Sequence, residues 1–356
     1  MHDAYLMLAT AEGFDESPVA ALLAPDANPE ALLAAPPQPP DVPPRVAKRL
    51  RTPGLAAKAT AIQQRADELG IRILTPIDHD WPQRLSEQPL RPLVLFARGD
   101  TNSLTSEPAC AVVGSRTPTP YGIDTAKSLC AALIRSNAVL WSGLARGIDG
   151  IAHEACVQAG SPTVAVLAGS LDRLYPAEHA GLTDRILDSG GCLITELPPG
   201  RRARRGHFIR RNRLLGAGPS AVVVVEASLT SGALHTARFA ADCSTEVLAV
   251  PGPWQSERSQ GCHRLIAEGA GIIESPHAML QELGLSVRTG QESLRLQATA
   301  DEQSILTQLS QGPRPTDLLR RECALTEVAF LRAIFGLQQS LAIERLPGDL
   351  WRFTNQ

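Results

Sequence analysis

The densest cluster of positive charge in the chain is a stretch of arginines near its middle. Residues 201–213 contain seven arginines and no acidic residue, and Phe208 lies among them. A run of charge is usually a solvated face, but here no carboxylate is interleaved with the arginines. Guanidinium groups neutralise phosphates, and an aromatic ring can stack on an unpaired base. The stretch therefore predicts a groove for a polyanion, with Phe208 as its base-stacking platform.

Three glycine-rich segments have the composition of loops that hold anions. They span residues 114–116, 142–149 and 169–172, and each follows an apolar run. Glycine lets backbone N–H groups approach an anion closely, and the N-terminus of a following helix adds a favourable dipole. Arg116 and Arg146 stand in these segments, where a phosphate would be neutralised. The alternative is that the segments are ordinary tight turns with exposed arginines.

Signatures of catalysis are scarce. His153-Glu154 begins like a zinc-binding HExxH helix, but residue 157 is valine, so the second histidine is missing. Ser170 is not in a GxSxG elbow, and the chain has neither GxGxxG nor GxxxxGK[ST] in these turns. His235 and Thr236 could donate to phosphate or could cap a helix. Nothing in these motifs demands an enzyme, and we expect no cofactor and no metal.

The composition indicates a folded chain of several domains. The 356 residues are 44% hydrophobic and 20% charged, which favours two or three domains over disorder. The seven cysteines are far apart and form no CxxC pair, so we expect buried thiols in a reducing cytoplasm. No apolar run reaches the roughly 18 residues of a membrane span, and no secretory signal is visible. A cytoplasmic protein without a membrane partner is expected.

From about residue 92 onward, short apolar runs alternate with stretches of helical period. This alternation predicts an α/β fold, with a Rossmann-like parallel sheet covered by helices on both faces. In the arginine stretch, we expect a loop up to Phe208 and a helix from Ile209 onward. The predicted strands are 93–97, 109–113, 139–141, 163–167, 192–195, 221–225 and 247–250, with helices at 122–136, 149–159 and 178–188.

The two ends of the chain have different patterns. Short helices broken by prolines predict a small helical domain at the N-terminus, and three short helices before a hairpin give the winged-helix order at the C-terminus. The C-terminal segment carries 6 basic and 7 acidic residues, so we expect docking rather than DNA binding, with Leu350 and Trp351 exposed to a partner. The predicted domains are 1–80, 81–284 and 300–356, with a linker at 285–299.

Six short segments between residues 112 and 252 together resemble the bacterial DNA-processing protein A (DprA, or Smf) family. The resemblance implies an extended Rossmann-like domain that binds single-stranded DNA as a homodimer. It also implies a sterile-alpha-motif-like N-terminal domain and a C-terminal winged helix. The implied function is a recombination mediator, without turnover, that protects incoming DNA and loads the RecA recombinase during natural transformation. The matching segments are 112–122, 142–153, 171–176, 210–213, 225–232 and 250–252, in the family's order.

The resemblance also implies which residues hold the DNA strand. They are Ser115, Arg116, Gly143, Arg146, Arg205, Phe208, Arg211, Asn212 and Arg213. This chain departs from the family at Ile209, where a proline is usual.

A second function stays open, that of the nucleoside-monophosphate phosphoribohydrolases on a related fold. Those enzymes carry Pro-Gly-Gly-x-Gly-Thr-x-x-Glu, and residues 231–236 lack the corresponding glutamate spacing.

Overall fold

The computed structural model divides the chain into two compact units, Met1–Leu285 and Ser286–Gln356. Within the part of the chain that it describes, no helix is long and apolar enough to cross a bilayer. The described residues are 1–14, 19–20, 28–88, 90–285, 299–309, 312–339, 343–346 and 348–353.

A mostly parallel sheet forms the centre of the first unit. Among the described residues it has nine strands: β1 (Arg72–Leu74), β2 (Leu95–Gly99), β3 (Ala109–Val113), β4 (Val139–Ser142), β5 (Thr163–Val166), β6 (Cys192–Thr195), β7 (Ala221–Val224), β8 (Glu246–Ala249) and β9 (Gly271–Ile272). Their order in the sheet is β1-β2-β6-β5-β4-β3-β7-β8-β9. The strands predicted from the apolar runs are present within two residues of their predicted bounds.

One edge of the sheet is antiparallel, which differs from the prediction. β2 runs antiparallel to both of its neighbours, β1 and β6, whereas the other neighbouring pairs are parallel. Parallel neighbours need a long crossover, usually a helix. The connection from β1 to β2 contains only a short 3-10 turn at Gln83–Ser86. β1 belongs to the sheet, although it lies within residues 1–80, which the sequence assigned to the small helical domain.

The N-terminal helices and the sheet share a hydrophobic core. Leu8, Val46 and Leu55 belong to the same buried cluster as Phe96 and Leu193 of the sheet. The rings of Phe14 and Phe96 meet with centroids 6.0 Å apart. Burial of these side chains therefore holds the helices on one face of the sheet. The helices are α1 (His2–Glu12), α2 (Pro29–Ala34), α3 (Pro44–Leu50) and α4 (Leu55–Glu68).

Seven further described helices complete the first unit. Leu214 and Ala237, from two of them, pack with Trp141 and Val222 in a second core on the sheet. The sheet is thus covered on both faces, as predicted. Six of the seven cysteines are buried and Cys243 is half-buried, and all seven are free thiols. The helices are α5 (Pro120–Arg135), α6 (Ile148–Gln158), α7 (Ala180–Asp188), α8 (Arg205–Ala217), α9 (Ala233–Asp242), α10 (Gln260–Ala267) and α11 (Pro276–Glu282).

Helix α8 begins four residues earlier than predicted. It starts at Arg205, so Phe208 is helical and does not lie on a loop. A proline disfavours helical geometry at the residue before it and removes a backbone donor. Ile209 imposes neither restriction, which lets the helix extend back through Phe208. The side chains of Arg205 and Phe208 are consequently presented from a regular helix.

The second unit has three described helices and a small antiparallel sheet, in the predicted order. Its hydrophobic core includes Trp351, which the sequence analysis expected to be exposed. The indole Nε1–H of Trp351 donates to Thr316 Oγ1 at 2.8 Å. Leu350 is half-buried, so neither residue provides an open apolar surface. The elements are α12 (Ala300–Leu309), β10 (Arg314–Pro315), α13 (Thr316–Glu322), α14 (Glu327–Gln339), β11 (Ile343–Leu346) and β12 (Leu350–Phe353).

Candidate functional site

The turn after β3 is fixed against the start of α6. The N–H of Ile148 donates to the carbonyl of Ser115 at 3.1 Å. Gly147 has a φ of +74°, a conformation that side chains rarely adopt, and a Cβ at this position would overlap the Ser115 carbonyl oxygen. Glycine at 147 therefore lets the segment after β4 contact the turn after β3. This close contact determines where Arg116, the next residue in the turn, is placed.

Gly143, at the end of β4, lies between a buried carboxylate and a buried guanidinium. Oδ2 of Asp149 accepts hydrogen bonds from the N–H groups of Gly143 at 3.1 Å and Ala145 at 3.4 Å. The Arg211 guanidinium donates to the Gly143 carbonyl. A Cβ at Gly143 would overlap both the guanidinium and the carboxylate. Any side chain larger than hydrogen at this position must displace one of them.

Arg211 connects α8 to the ends of two strands. Its guanidinium donates to the carbonyls of Gly143 and Val166, and its Nε–H donates to Asn212 Oδ1 at 3.2 Å. Burial lowers the pKa of Arg211 to about 10, so the group is still protonated at neutral pH. Burial raises the pKa of Asp149, although Arg211 and the backbone N–H groups oppose that shift. The two groups lie together beneath the ends of β4 and β5.

A cleft of about 900 Å³ opens above these residues, at the carboxyl ends of β3 and β7. Binding sites in open α/β sheets occur at this edge. Among the described residues, five arginines line the cleft, against the carboxylates of Asp149 and Glu257, so positive charge dominates. Such a cleft attracts anions. The arginines are Arg116, Arg204, Arg205, Arg211 and Arg258.

Phe208 is held in the cleft between a cation and a second ring. The guanidinium carbon of Arg116 lies over the ring of Phe208, 5.4 Å from its centroid. Tyr175 meets the same ring nearly at right angles, with centroids 5.5 Å apart and an interplanar angle of 78°. Both contacts are of the kind that favours a fixed aromatic ring. The side chain of Tyr175 is itself 51% exposed.

The N-terminus of α9 forms another wall of the cleft. Ser231, Gly232, His235 and Thr236 all line it. The amide of Asn212 donates to the Gly232 carbonyl at 3.0 Å and so ties this wall to α8. Ser231 Oγ accepts from the N–H of Ala233 at 3.3 Å, one residue before the N-cap Gly232. His235 and Thr236 are inside the helix and face the cleft, so the capping alternative is wrong for them.

Six of the nine residues implied by the family resemblance line this cleft. Gly143 lies directly beneath it, where it accommodates Arg211 and Asp149. Arg146 points elsewhere and forms an exposed ion pair with Glu178, with Nε 2.5 Å from Oε1. The six lining residues are Ser115, Arg116, Arg205, Phe208, Arg211 and Asn212.

Arg213 does not line the cleft, in contrast to the groove position predicted for it from the sequence. Its side chain is 3% exposed and pairs with Glu196, which also binds Arg210 at 3.0 Å. Nη1 of Arg213 donates to Gln88 Oε1 at 3.4 Å. Side chains two residues apart on a helix point in directions that differ by about 200° around the helix axis. Arg211 and Arg213 therefore cannot share a face of α8. Arg213 serves the packing of the unit.

Sequence reasoning missed two cleft residues as binding residues. Tyr175 belongs to a segment that matched the family, but it was not among the residues implied to bind DNA. Arg258 lies in the exit loop of β8 and its Nη1 donates to Thr117 Oγ1 at 2.9 Å. Arg258 can line the cleft because β8 lies two strands from β3 in the sheet, which brings the loop after β8 to the cleft. Strand order is a long-range property, and no local pattern indicates it.

Comparisons with known proteins give a consistent result. Protein Smf of Escherichia coli (strain K12) is 39% identical over 211 residues, which are 59% of this chain and 56% of that protein. The chain thus matches less than two thirds of this relative's length. The crystal structure of DNA processing protein A from Streptococcus pneumoniae superposes with a TM-score of 0.64 and 29% identity. That match covers 79% of this chain and 98% of the other.

A second solved structure and a family model complete the comparison. DNA processing protein A from Helicobacter pylori, described for its single-stranded DNA binding mode, superposes with a TM-score of 0.55 and 28% identity. It covers 60% of this chain and 95% of the other. The family model for DNA recombination-mediator protein A matches residues 72–284, more than half of the chain. The matched region contains the whole cleft, and the chain belongs to the DNA recombination-mediator protein A family.

Proposed function

We propose that the cleft binds single-stranded DNA and that the protein is a recombination mediator. In this proposal it protects incoming DNA and loads the RecA recombinase during natural transformation. The observation that carries the proposal is the contact of Arg116 and Tyr175 with the Phe208 ring inside an arginine-lined cleft. The name of the family and the DNA binding described for the H. pylori relative support it.

The cleft favours a single strand over a duplex for a physical reason. An aromatic ring can stack only on a base whose face is open, and a duplex keeps those faces covered by neighbouring base pairs. Phosphates of either substrate are attracted by Arg116, Arg205 and Arg258, because charge attraction does not depend on sequence. Charge therefore supplies general affinity, and Phe208 and Tyr175 supply the preference for unpaired bases.

Arg116 has a specific part in this proposal. Its guanidinium covers a face of Phe208, so a base that stacks on that face must take its place or extend the stack. A guanidinium plane stacks on bases and also forms paired hydrogen bonds with phosphate oxygens. Arg116 can thus move from the ring to the backbone of the same nucleotide. The ring and the cation would then hold the two chemical parts of one nucleotide.

The partners and the ends of the chain also belong to the proposal. The protein would act in the cytoplasm as a homodimer through the domain 81–284, with RecA as its protein partner. The helical segment 1–80 would be a sterile-alpha-motif-like domain, and 300–356 a winged helix with a docking role. Exposed apolar side chains on α14, Val328, Leu331 and Phe335, support docking. A chain that ends at Leu285 should keep most single-strand affinity.

Fluorescence anisotropy of a labelled oligonucleotide over a salt series tests the proposal. Arg116→Ala with Arg205→Ala should weaken binding and flatten the slope of log affinity against log salt by about 0.7 per lost phosphate contact. Arg185→Ala is the matched control, because Arg185 is half-exposed but paired with Glu154 outside the cleft. The proposal fails if the double variant binds like the wild type, or if duplex is bound as tightly as single strand.

The phosphoribohydrolase alternative is not favoured. The cleft contains two described carboxylates, and one of them, Asp149, is engaged by the N–H groups of Gly143 and Ala145. Incubation with a nucleoside monophosphate should release no free base. Release that Arg205→Ala abolishes would support the enzyme instead.

A further inference from the structure

Trp254 stands out among the tryptophans of the chain, all four of which lie within the described residues. It is 77% exposed, whereas Trp81, Trp141 and Trp351 are buried. Its loop connects β8 to α10 and follows the carboxyl end of the strand next to the β9 edge of the sheet. A large aromatic side chain held in water is not explained by the packing of this unit.

The loop that carries Trp254 is fixed to the cleft. Tyr121 Oη donates to the carbonyl of Pro251 at 2.8 Å, on the N-terminal side of Trp254. On its C-terminal side, Arg258 donates to Thr117 in the turn after β3 at 2.9 Å. Glu257 and Arg258 of this loop line the cleft itself. Both ends of the loop are thus anchored to the elements that present Arg116.

We propose that Trp254 is a second base-stacking site, which takes a base of the same DNA strand that occupies the Phe208 cleft. This inference rests on the proposed function. β8 is two strands from β3, a distance of about 10 Å. At a rise of about 3.4 Å per stacked nucleotide, a strand that contacts Arg116 reaches the loop within about three nucleotides.

Continuity of charge indicates a nucleic-acid strand as the occupant of this site. Arg258 lines the cleft and lies four residues after Trp254 in the loop; its side chain is 43% exposed, with Nη1 4.0 Å from Glu226 Oε1. A cation between two aromatic platforms follows the pattern of single-strand binding surfaces, in which phosphates and bases are contacted in turn. The strand would run from Phe208 and Arg116, past Arg258, to Trp254.

The fluorescence of Trp254 provides a direct readout in the full-length protein. Saturation with a (dT)20 oligonucleotide should quench the emission of the exposed indole, because a base stacked on the ring quenches its excited state by direct contact. Trp254→Phe should abolish the quenching and keep affinity within about threefold, since a ring remains. Trp254→Ala should lower affinity about tenfold, the loss of one stacked base. Ile77→Ala, an exposed residue in the loop after β1, is the control and should change neither.

Anisotropy of the labelled oligonucleotide, measured in parallel, separates the two proposals. Saturable binding with unchanged tryptophan emission, and equal affinity of Trp254→Ala and wild type, would overturn the second stacking site and leave the cleft intact. Absence of any single-strand binding by the wild type would overturn both. If Trp254→Ala instead changes the mass measured by light scattering, with DNA affinity unchanged, the residue is a protein contact and the inference is wrong.

Discussion

The guanidinium carbon of Arg116 lies 5.4 Å from the centre of the Phe208 ring. Tyr175 contacts the same ring from another side. The ring is therefore already oriented by its neighbours and by its place on α8. A platform ordered in advance loses little side-chain freedom when a base stacks on it.

Replacing Phe208 should separate stacking from charge. Phe208→Ala removes a ring and no charge, so single-strand affinity should fall by about 1–3 kcal/mol while the salt slope stays nearly unchanged. Duplex binding should fall less, because its bases are not open to stacking. Anisotropy with matched single- and double-stranded oligonucleotides measures both. An equal loss for the two substrates would mean that Phe208 only packs the cleft wall.

Arg213 and Arg205 lie on the same helix and should give opposite results. Arg213→Ala leaves the buried Glu196 with one fewer cation, so we expect a loss of unfolding free energy of about 3–5 kcal/mol. Arg205→Ala, in the exposed part of the cleft, should change stability little and flatten the salt slope by about 0.7. Urea unfolding and the salt series measure the two effects. A flattened slope with unchanged stability in Arg213→Ala would contradict the assignment.

A methyl group at Gly143 should damage the base of the cleft. Gly143→Ala forces Arg211 or Asp149 to move, and overpacking of this kind costs about 1–3 kcal/mol of stability. Single-strand affinity should fall as well, because Arg211 lines the cleft. Gly181→Ala is the control: it is in α7 with open space around it and should be neutral or stabilising by up to about 1 kcal/mol. Similar results for both variants would exclude a special role for Gly143.

Glu12 should make stability depend on pH. Burial raises its pKa to about 7, although the N–H groups of Ala20 and Val19 and the charge of Arg210 oppose the shift. The folded state then binds a proton that the unfolded state releases above about pH 4.5, so this contribution to stability falls between pH 4.5 and 7. Glu12→Gln keeps an oxygen for Val19 and Ala20 and should be more stable than wild type by about 1–3 kcal/mol at pH 8.

The comparison between Glu12→Gln and wild type isolates this effect. Burial lowers the pKa of His153 to about 3, so its contribution has the opposite sign: stability is lost as the pH falls below about 6.5. That loss is common to both proteins and cancels in the difference. Urea unfolding at pH 5 and pH 8 should show a small difference at the lower pH and a larger one at the higher. A constant difference would mean that Glu12 does not titrate in this range.

Much of the fold follows from local patterns. β3 and β6 have the bounds that their apolar runs indicate, because a buried parallel strand is apolar on both faces. The antiparallel placement of β2 was missed, since the run 93–97 is as apolar as those of the parallel strands and strand direction depends on connections far away in the fold. Trp351 was misjudged for a similar reason. Its burial depends on Thr316 and the rest of a small core, which a hairpin pattern does not reveal.

The site was predictable in composition more than in geometry. Ser115, Arg116 and Phe208 are in motifs with distinct chemistry, and the structure places all three at the cleft. Arg211 and Arg213 have the same side chain in one run of charge, and only the helical phase and the position of Glu196 separate them. Arg258 and Tyr175 approach the cleft through sheet order and loop packing, which spacing along the chain does not encode.

Ultraviolet cross-linking of the full-length protein to a (dT)20 oligonucleotide, followed by mass spectrometry of the peptides, tests the central claim most directly. An aromatic side chain stacked on thymine is well placed to cross-link, so we predict adducts on the peptides that contain Phe208 and Tyr175. Phe208→Ala should remove the first of them, and Arg185→Ala should leave both. Adducts confined to residues 300–356, with none on the cleft peptides, would contradict the account.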